Sequence, residues 1–166
     1  SILRYLSQSF HPEEIVVAAA GNLEHDHFVD LVAPALEKLD HSVHRPPREK
    51  PVNHPGIHVM EKDLEQVHFA LGFEAPSVRH ADFHTAQVYT TALGGGMSSR
   101  LFQKIREERG LCYSIYAQAG AYDDTGMLTI YAGTSAEEIG DLSGLTVEEM
   151  KRAAEDMTEA EVARAR

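Results

Sequence analysis

The chain has 166 residues, of which 43% are hydrophobic and 25% are charged. This length and composition fit one domain, or parts of two, and exclude intrinsic disorder. Fifteen Lys and Arg against 26 Asp and Glu give a net charge of −11, which would repel the phosphates of nucleic acids and anionic lipids. We therefore expect no nucleic acid and no membrane among its partners, and we favour neutral or cationic ones.

Cys112 is the only cysteine, so one copy of the chain can form neither a disulfide nor a cysteine zinc site. Because Leu111 and Tyr113 flank this thiol, we interpret it as a small buried hydrophobic residue. Cysteine usage leaves the compartment open; it favours the cytoplasm and keeps the periplasm as the alternative. The longest apolar run, residues 15–20, is far shorter than the roughly 20 residues that a membrane-spanning helix needs.

The two ends of the sequence suggest a segment of a longer protein. The first residue is Ser1, and near the other end Thr158 and Glu161 have the spacing of a capping box that begins a helix. Only eight residues, 159–166, remain for that helix. An isolated helix of this length is marginal in water, so we expect its continuation to lie outside the chain.

The first forty residues alternate between helix and strand patterns. Apolar side chains recur every four positions over residues 2–10, which predicts an amphipathic helix. Residues 15–20 are a continuous apolar run, typical of a strand buried on both faces. The 3.6-residue period over residues 28–39 predicts a second helix packed on that strand, with a kink at Pro34.

Residues 41–56 interrupt the hydrophobic pattern. They carry four prolines and almost no apolar side chains, which is typical of an extended linker. The sequence therefore predicts three parts: the end of an upstream domain over residues 1–40, the linker, and a second domain that begins with residues 57–166.

The second domain shows strands paired by hairpins, with helices grouped between them. Strands are predicted over 57–61, 65–74, 111–122 and 127–134, and helices over 81–93 and 136–156, with a further helix beginning near residue 99. The last two strands are joined by an Asp-Asp-Thr-Gly turn, which indicates a hairpin. This pattern predicts an α+β fold: an antiparallel-rich sheet with helices packed on one face, preceded by the last strand and helix of an upstream α+β domain.

A glycine loop separates two of these helices. Gly94, Gly95 and Gly96 end the first helix because their backbone is too free to continue it cheaply. Ser98 or Ser99 can then cap the next one. We interpret the loop as a structural turn that lets the two helices pack. Phosphate binding at the following helix terminus is the alternative, but the G-x-x-x-x-G-K-[ST] pattern is absent.

Residues 93–114 carry, in order, this glycine loop, Ser-Ser-Arg-Leu-Phe and Arg-x-x-x-Gly-Leu-x-Tyr. This segment resembles the pitrilysin, insulinase and mitochondrial-processing-peptidase family of zinc metallopeptidases, the inverzincins. Weaker similarity relates residues 15–39 to the last strand and helix of the family's zinc-bearing first domain. Residues 57–166 are similar to the front of its second, non-zinc domain. The resemblance thus implies an internal segment of a longer protein.

The zinc motif of that family, H-x-x-E-H, is absent from the sequence. His80 and His84 have its i, i+4 spacing, but Phe83 occupies the position of the glutamate, and a phenyl ring cannot accept a proton from bound water. Two histidines without a third ligand make a weak site. We therefore expect helix-surface histidines, no metal and no catalytic residue in this chain; an independent metal site is a remoter alternative. The resemblance implies zinc in the catalytic domain of the longer protein.

Arg106 and Tyr113 match the arginine and tyrosine that this family is taken to use in gripping the substrate backbone. A guanidinium and a phenol can each donate to a carbonyl oxygen that gains charge during attack. No carboxylate stands three or four residues from Arg106, so we expect no ion pair within its own helix. A solvated helix arginine and ordinary strand packing of the tyrosine are the alternatives.

The resemblance implies a fragment of a zinc-dependent endopeptidase that supplies substrate-binding and chamber-closing residues, holds no zinc ligands and is inactive alone. The expected partners are a peptide or unfolded polypeptide substrate and either the missing catalytic domain or a homologous partner subunit; a homodimer stays open. The alternative is part of a non-catalytic partner subunit or of a structural core protein with the same fold.

Overall fold

The computed structural model describes residues 2–9, 15–39 and 49–166. The chain divides into two compact units, Ser1–Glu49 and Lys50–Arg166. Among the described residues, no helix combines the length and the apolar character needed to cross a membrane.

The first unit contains two helices, α1 (Ile2–Ser9) and α2 (His25–Leu36). Both were predicted, and Pro34 lies in the last turn of α2. Residues 15–20 form no strand and are almost entirely exposed, so the predicted buried strand is wrong. A strand needs a neighbouring backbone for its hydrogen bonds, and the described part of this unit offers none. Consequently α2 has no strand to cover and buries none of its own residues.

Residues 49–66 form neither helix nor strand. The strand predicted over 57–61 is therefore wrong; Ile57, for example, is 93% exposed. The apolar residues of this stretch have the composition of a strand, but no strand of the sheet takes them as a neighbour. Residues 40–48 lie outside the described part, and the three-part division of the chain stays a prediction.

The second unit is built on a three-stranded antiparallel sheet. Its strands are β1 (Val67–Ala75), β2 (Ser114–Ala121) and β3 (Gly126–Thr134), in the spatial order β1-β3-β2. The β2–β3 hairpin and the alternating strand over 65–74 were predicted and are confirmed. Phe73 differs from the pattern, because it belongs to the inward-facing set but remains 41% exposed.

The core lies between one face of the sheet and the helices. These helices are α3 (Phe83–Gly94), a π-helical segment (Phe102–Glu107) and α4 (Ile139–Asp156). The fully buried side chains that join them to the sheet are Leu93, Leu101, Ile105, Ile130 and Leu142. Helices on one side of an antiparallel sheet confirm the predicted α+β class.

A short helix, α5 (Glu159–Ala165), ends the chain. Its N-terminus carries the predicted capping box: Thr158 Oγ1 accepts from the Glu161 backbone N–H at 3.3 Å, and the Thr158 N–H donates to Glu161 Oε2 at 2.8 Å. The capping box fixes where α5 begins, and with it the position of the Glu161 carboxylate.

Candidate functional site

The candidate site begins with the glycine loop after α3. A methyl group at Gly94 would lie 2.5 Å from the backbone nitrogen of Ala117 on β2, so a side chain there would force α3 away from the sheet. At Gly96 a methyl group would meet nothing within 4 Å. The close approach therefore joins a helix to a strand, and not one helix to the next as the sequence suggested.

Ser99 closes the glycine loop. Its hydroxyl donates to the Gly96 carbonyl at 2.6 Å, and its backbone N–H donates to the same oxygen at 3.0 Å. A helix cap would instead accept from an N–H of the following turn, so the cap predicted at Ser99 is not formed by this hydroxyl. Ser98 lies exposed beside it.

Arg100, directly after the loop, is bound to the C-terminal part of the chain. Its Nε donates to Glu161 Oε1 at 2.5 Å and its Nη2 to Glu161 Oε2 at 2.8 Å, while Nη1 forms an ion pair with Asp156. These hydrogen bonds lower the pKa of Glu161 to about 2 and raise the pKa of the guanidinium. Sequence reasoning missed this cluster, since 56 and 61 residues separate Arg100 from its partners.

The helix that follows widens into a π-helical segment. The Glu108 N–H donates to the Gln103 carbonyl, five residues back, at 2.9 Å, which is the π pattern. Within this segment, the guanidinium carbon of Arg106 lies 4.6 Å from the centroid of the Phe102 ring, which is four residues earlier in the chain. This cation–π contact helps to fix the direction of the arginine.

Arg106 uses two further nitrogens to bind its surroundings. Nε donates to the Tyr113 carbonyl at 2.7 Å, and Nη1 donates to Glu107 Oε1 at the same distance. The expectation that no carboxylate of its own helix pairs with Arg106 is therefore wrong: it considered helical neighbours three and four residues away, whereas two long adjacent side chains can fold toward each other. Nη2 has no hydrogen-bond partner among the described residues.

Tyr113 is brought to Arg106 by a reversal of the chain at Gly110, whose φ of +65° favours glycine. Its backbone N–H donates to the Gly133 carbonyl of β3 at 3.2 Å, so its position is tied to the sheet. The residue is 78% exposed. The structure thus joins Arg106 to the Tyr113 backbone and leaves the tyrosine side chain open to solvent.

The two histidines at the start of α3 do not converge. Nδ1 of His80 accepts from the Asp82 N–H at 3.1 Å, and the His84 ring packs against Phe83 with 4.9 Å between centroids. Within the described ranges, no group of three or more His, Cys, Asp and Glu side chains could hold a metal ion. Cys112 is buried, as predicted, and burial raises the pKa of its thiol.

Comparison with known proteins identifies the class to which this architecture belongs. A family described as peptidase M16 inactive domain matches residues 1–166. The chain is 35% identical over 170 residues to an uncharacterized zinc protease of Bacillus subtilis, covering 95% of the chain and 41% of that protein. It is 39% identical over 165 residues to an uncharacterized zinc protease of Mycobacterium tuberculosis, covering 93% of the chain and 38% of that protein.

A solved structure shows the same fold. The crystal structure of a peptidase M16 inactive domain from Pseudomonas fluorescens is similar with a TM-score of 0.67 and 20% identity, over 87% of this chain and 36% of that one. The chain belongs to the peptidase M16 inactive-domain family, and the resemblance drawn from residues 93–114 is confirmed. It spans about 40% of the length of these curated relatives.

Proposed function

We propose that this chain supplies the substrate-holding part of a zinc-dependent endopeptidase, in which another domain or subunit carries the metal. The observation that carries the proposal is the pairing of Arg106 with the backbone of Tyr113 at 2.7 Å, beside an exposed phenol. Membership of an inactive-domain family and relatives named zinc proteases support it.

The geometry suits a peptide backbone. The Tyr113 side chain is 78% exposed and can donate its hydroxyl to a peptide carbonyl. Nη2 of Arg106, which has no hydrogen-bond partner among the described residues, provides a second donor on a cationic group. Three contacts hold the arginine: to Phe102, Glu107 and the Tyr113 carbonyl. Donors fixed in advance stabilise charge that develops on a carbonyl oxygen during attack, without reorganising at that moment.

The proposal divides the chemistry between two parts of a longer protein. Zinc, bound in the other part, would make a water nucleophilic near neutral pH. This chain would bind and orient the peptide and exclude water around it. Its expected partners are therefore a peptide or unfolded polypeptide and the zinc-bearing domain or homologous subunit, and it is inactive alone.

The Arg106→Ala substitution in the full-length protein tests this role. We expect kcat/KM for peptide cleavage to fall about 100-fold, the cost of removing one fixed donor. The free energy of unfolding should fall by only about 1–2 kcal/mol, because the Glu107 pair is partly solvated and the loss is mainly the hydrogen bond to the Tyr113 carbonyl and the contact with Phe102. Steady-state cleavage assays and urea unfolding measure the two quantities.

Arg109→Ala is the matched control, since Arg109 is an exposed arginine two residues beyond the π-helical segment, and it should leave both quantities unchanged. Tyr113→Phe removes only the phenol oxygen and should reproduce part of the loss in turnover. Equal turnover of the Arg106 and Arg109 variants would contradict the assigned role. Cleavage that appears only after a zinc-bearing subunit is added would assign the longer protein to the non-catalytic class.

A further inference from the structure

Four cross-strand rows lie on the face of the sheet opposite the core, and three of them carry no Asp, Glu, Lys or Arg. From β1 through β3 to β2, the three rows are His68-Gly133-Ser114, Ala70-Tyr131-Tyr116 and Gly72-Thr129-Gln118. The fourth row, Glu74-Met127-Gly120, lies at the hairpin end of the sheet and carries one carboxylate. These three rows offer a ligand polar and aromatic groups but no carboxylate or ammonium group.

A continuous aromatic strip crosses this face. The strip consists of the rings of His68, Tyr131 and Tyr116. The His68 and Tyr131 centroids are 5.9 Å apart, and the Tyr131 and Tyr116 centroids are 5.1 Å apart, with interplanar angles of 32° and 31°. A 2.7 Å hydrogen bond between His68 Nδ1 and the Tyr131 hydroxyl fixes one end. These spacings are typical of interacting aromatic pairs, so the strip spans all three strands as one unit.

Gly133 leaves room at one end of the strip. A methyl group at Gly133 would lie 3.0 Å from Gln66 Oε1, which is a tight contact, and 3.7 Å from the Tyr131 hydroxyl, which is an ordinary one. The absent side chain therefore gives space to the Gln66 side chain beside the strip. On the β1 side, the small residues Ala70 and Gly72 leave the flank of the Tyr131 ring uncrowded, and both are exposed.

The aromatic strip adjoins the proposed peptide grip, which consists of Arg106 and Tyr113. The carbonyl of Gly133, the centre of the first row, accepts the backbone N–H of Tyr113. Ser114, the next residue, is itself a member of that row. A peptide held at Tyr113 and running on over the sheet would thus meet the strip within one or two residues.

We propose that the aromatic strip is a subsite for an aromatic side chain of the bound peptide. A ring of the peptide would gain aromatic contacts with the rings of the strip. The three rows at the strip offer no carboxylate to pair with a cationic side chain, since Glu74 lies two rows away from Tyr131. The strip would select one residue of the peptide, while Arg106 and Tyr113 hold its backbone. The assignment rests on the proposed peptide-binding function and adds a side-chain preference to it.

The absence of tryptophan from the chain makes a direct binding experiment possible. A peptide with a single Trp is titrated by its fluorescence against the 166-residue chain, and its Trp→Ala and Trp→Arg counterparts are measured by competition. We expect the Trp peptide to bind about three- to tenfold more tightly than the Ala peptide, the effect of an aromatic pair. Tyr116→Ala should reduce this ratio to near one, whereas Tyr116→Phe should retain it.

Tyr122→Ala is the matched control, because Tyr122 is an exposed tyrosine beyond the end of β2, and it should preserve the preference. A preference that survives Tyr116→Ala, or tighter binding of the Arg peptide, would overturn the subsite. The Arg106→Ala variant tests the grip separately, since it should weaken both peptides equally and keep their ratio. If Arg106→Ala binds both peptides as tightly as the unsubstituted chain does, the role of Arg106 in holding the peptide is rejected and the aromatic subsite is retained. If the unsubstituted chain binds neither peptide, both proposals are rejected.

Discussion

Arg100 and Arg106 lie six residues apart on one helical segment and have opposite surroundings. The side chain of Arg100 is 12% exposed and donates hydrogen bonds to Asp156 and Glu161. The side chain of Arg106 is 33% exposed and keeps one nitrogen without a partner in the described part of the chain. The first arginine anchors the segment to α4 and α5, and the second presents charge at the surface. Residue type and motif membership alone do not separate these two roles.

Arg100→Ala should have the largest effect on stability. The substitution leaves the Glu161 carboxylate, which is 17% exposed, without its cationic partner, and breaking such a pair costs about 3 kcal/mol of unfolding free energy. Urea unfolding of the chain measures the loss. Lys104→Ala is the control, because Lys104 pairs with Glu108 in solvent and should cost about 0.5 kcal/mol at most. Equal losses would break the comparison between anchor and surface.

Gly94→Ala should follow in size. Its methyl group would collide with the backbone of Ala117, and relief by shifting α3 costs about 2 kcal/mol. Gly96→Ala, two residues on, meets open space and should change stability by less than about 1 kcal/mol. Thermal unfolding compares the two variants. Equal stability of the two variants would contradict the inference that the close contact of Gly94 with β2 holds the C-terminal end of α3 against the sheet.

Low pH should weaken the ion pair between Arg100 and Glu161, with a smaller effect on stability than Arg100→Ala has. The pKa of Glu161 is depressed from 4.5 to about 2, so its contribution to stability is complete above pH 4.5 and is lost as the pH falls toward 2. We expect wild type to exceed Glu161→Gln by about 1–2 kcal/mol at pH 6, after allowance for solvent near the pair, and to lose this advantage at pH 2. Urea unfolding at both pH values measures it; a difference independent of pH would contradict the charge-based anchor.

The sequence predicted the elements whose partners are close along the chain. The β2–β3 hairpin follows from two apolar stretches around an Asp-Asp-Thr-Gly turn, and the capping box of α5 follows from Thr158 and Glu161. The strands predicted over 15–20 and 57–61 are wrong, because no strand of the described sheet pairs with either segment. An apolar pattern reports that a segment could be buried, whereas a strand also requires a specific neighbour, which the pattern does not name.

The candidate site was predictable in part. The family resemblance indicated Arg106 and Tyr113, and the structure places them in contact. The identity of the contact was not predictable, because the guanidinium binds the Tyr113 carbonyl and Glu107. Nor was the anchor at Arg100, since its carboxylates follow more than fifty residues later. The π-helical turn has no local sequence signal here.

That widened turn also gives the segment one residue of spare length. The π-helical residues Phe102–Glu107 contain more chain per turn than an α-helix does, so deleting one residue among them would restore ordinary helical pitch. A residue deleted from an ordinary α-helix turns everything beyond it by about 100°. In the wide turn the change in pitch offsets this rotation, so the chain beyond it should keep its direction toward Gly110 and Tyr113. The segment is therefore expected to tolerate the loss of one residue where α3 and α4 would not.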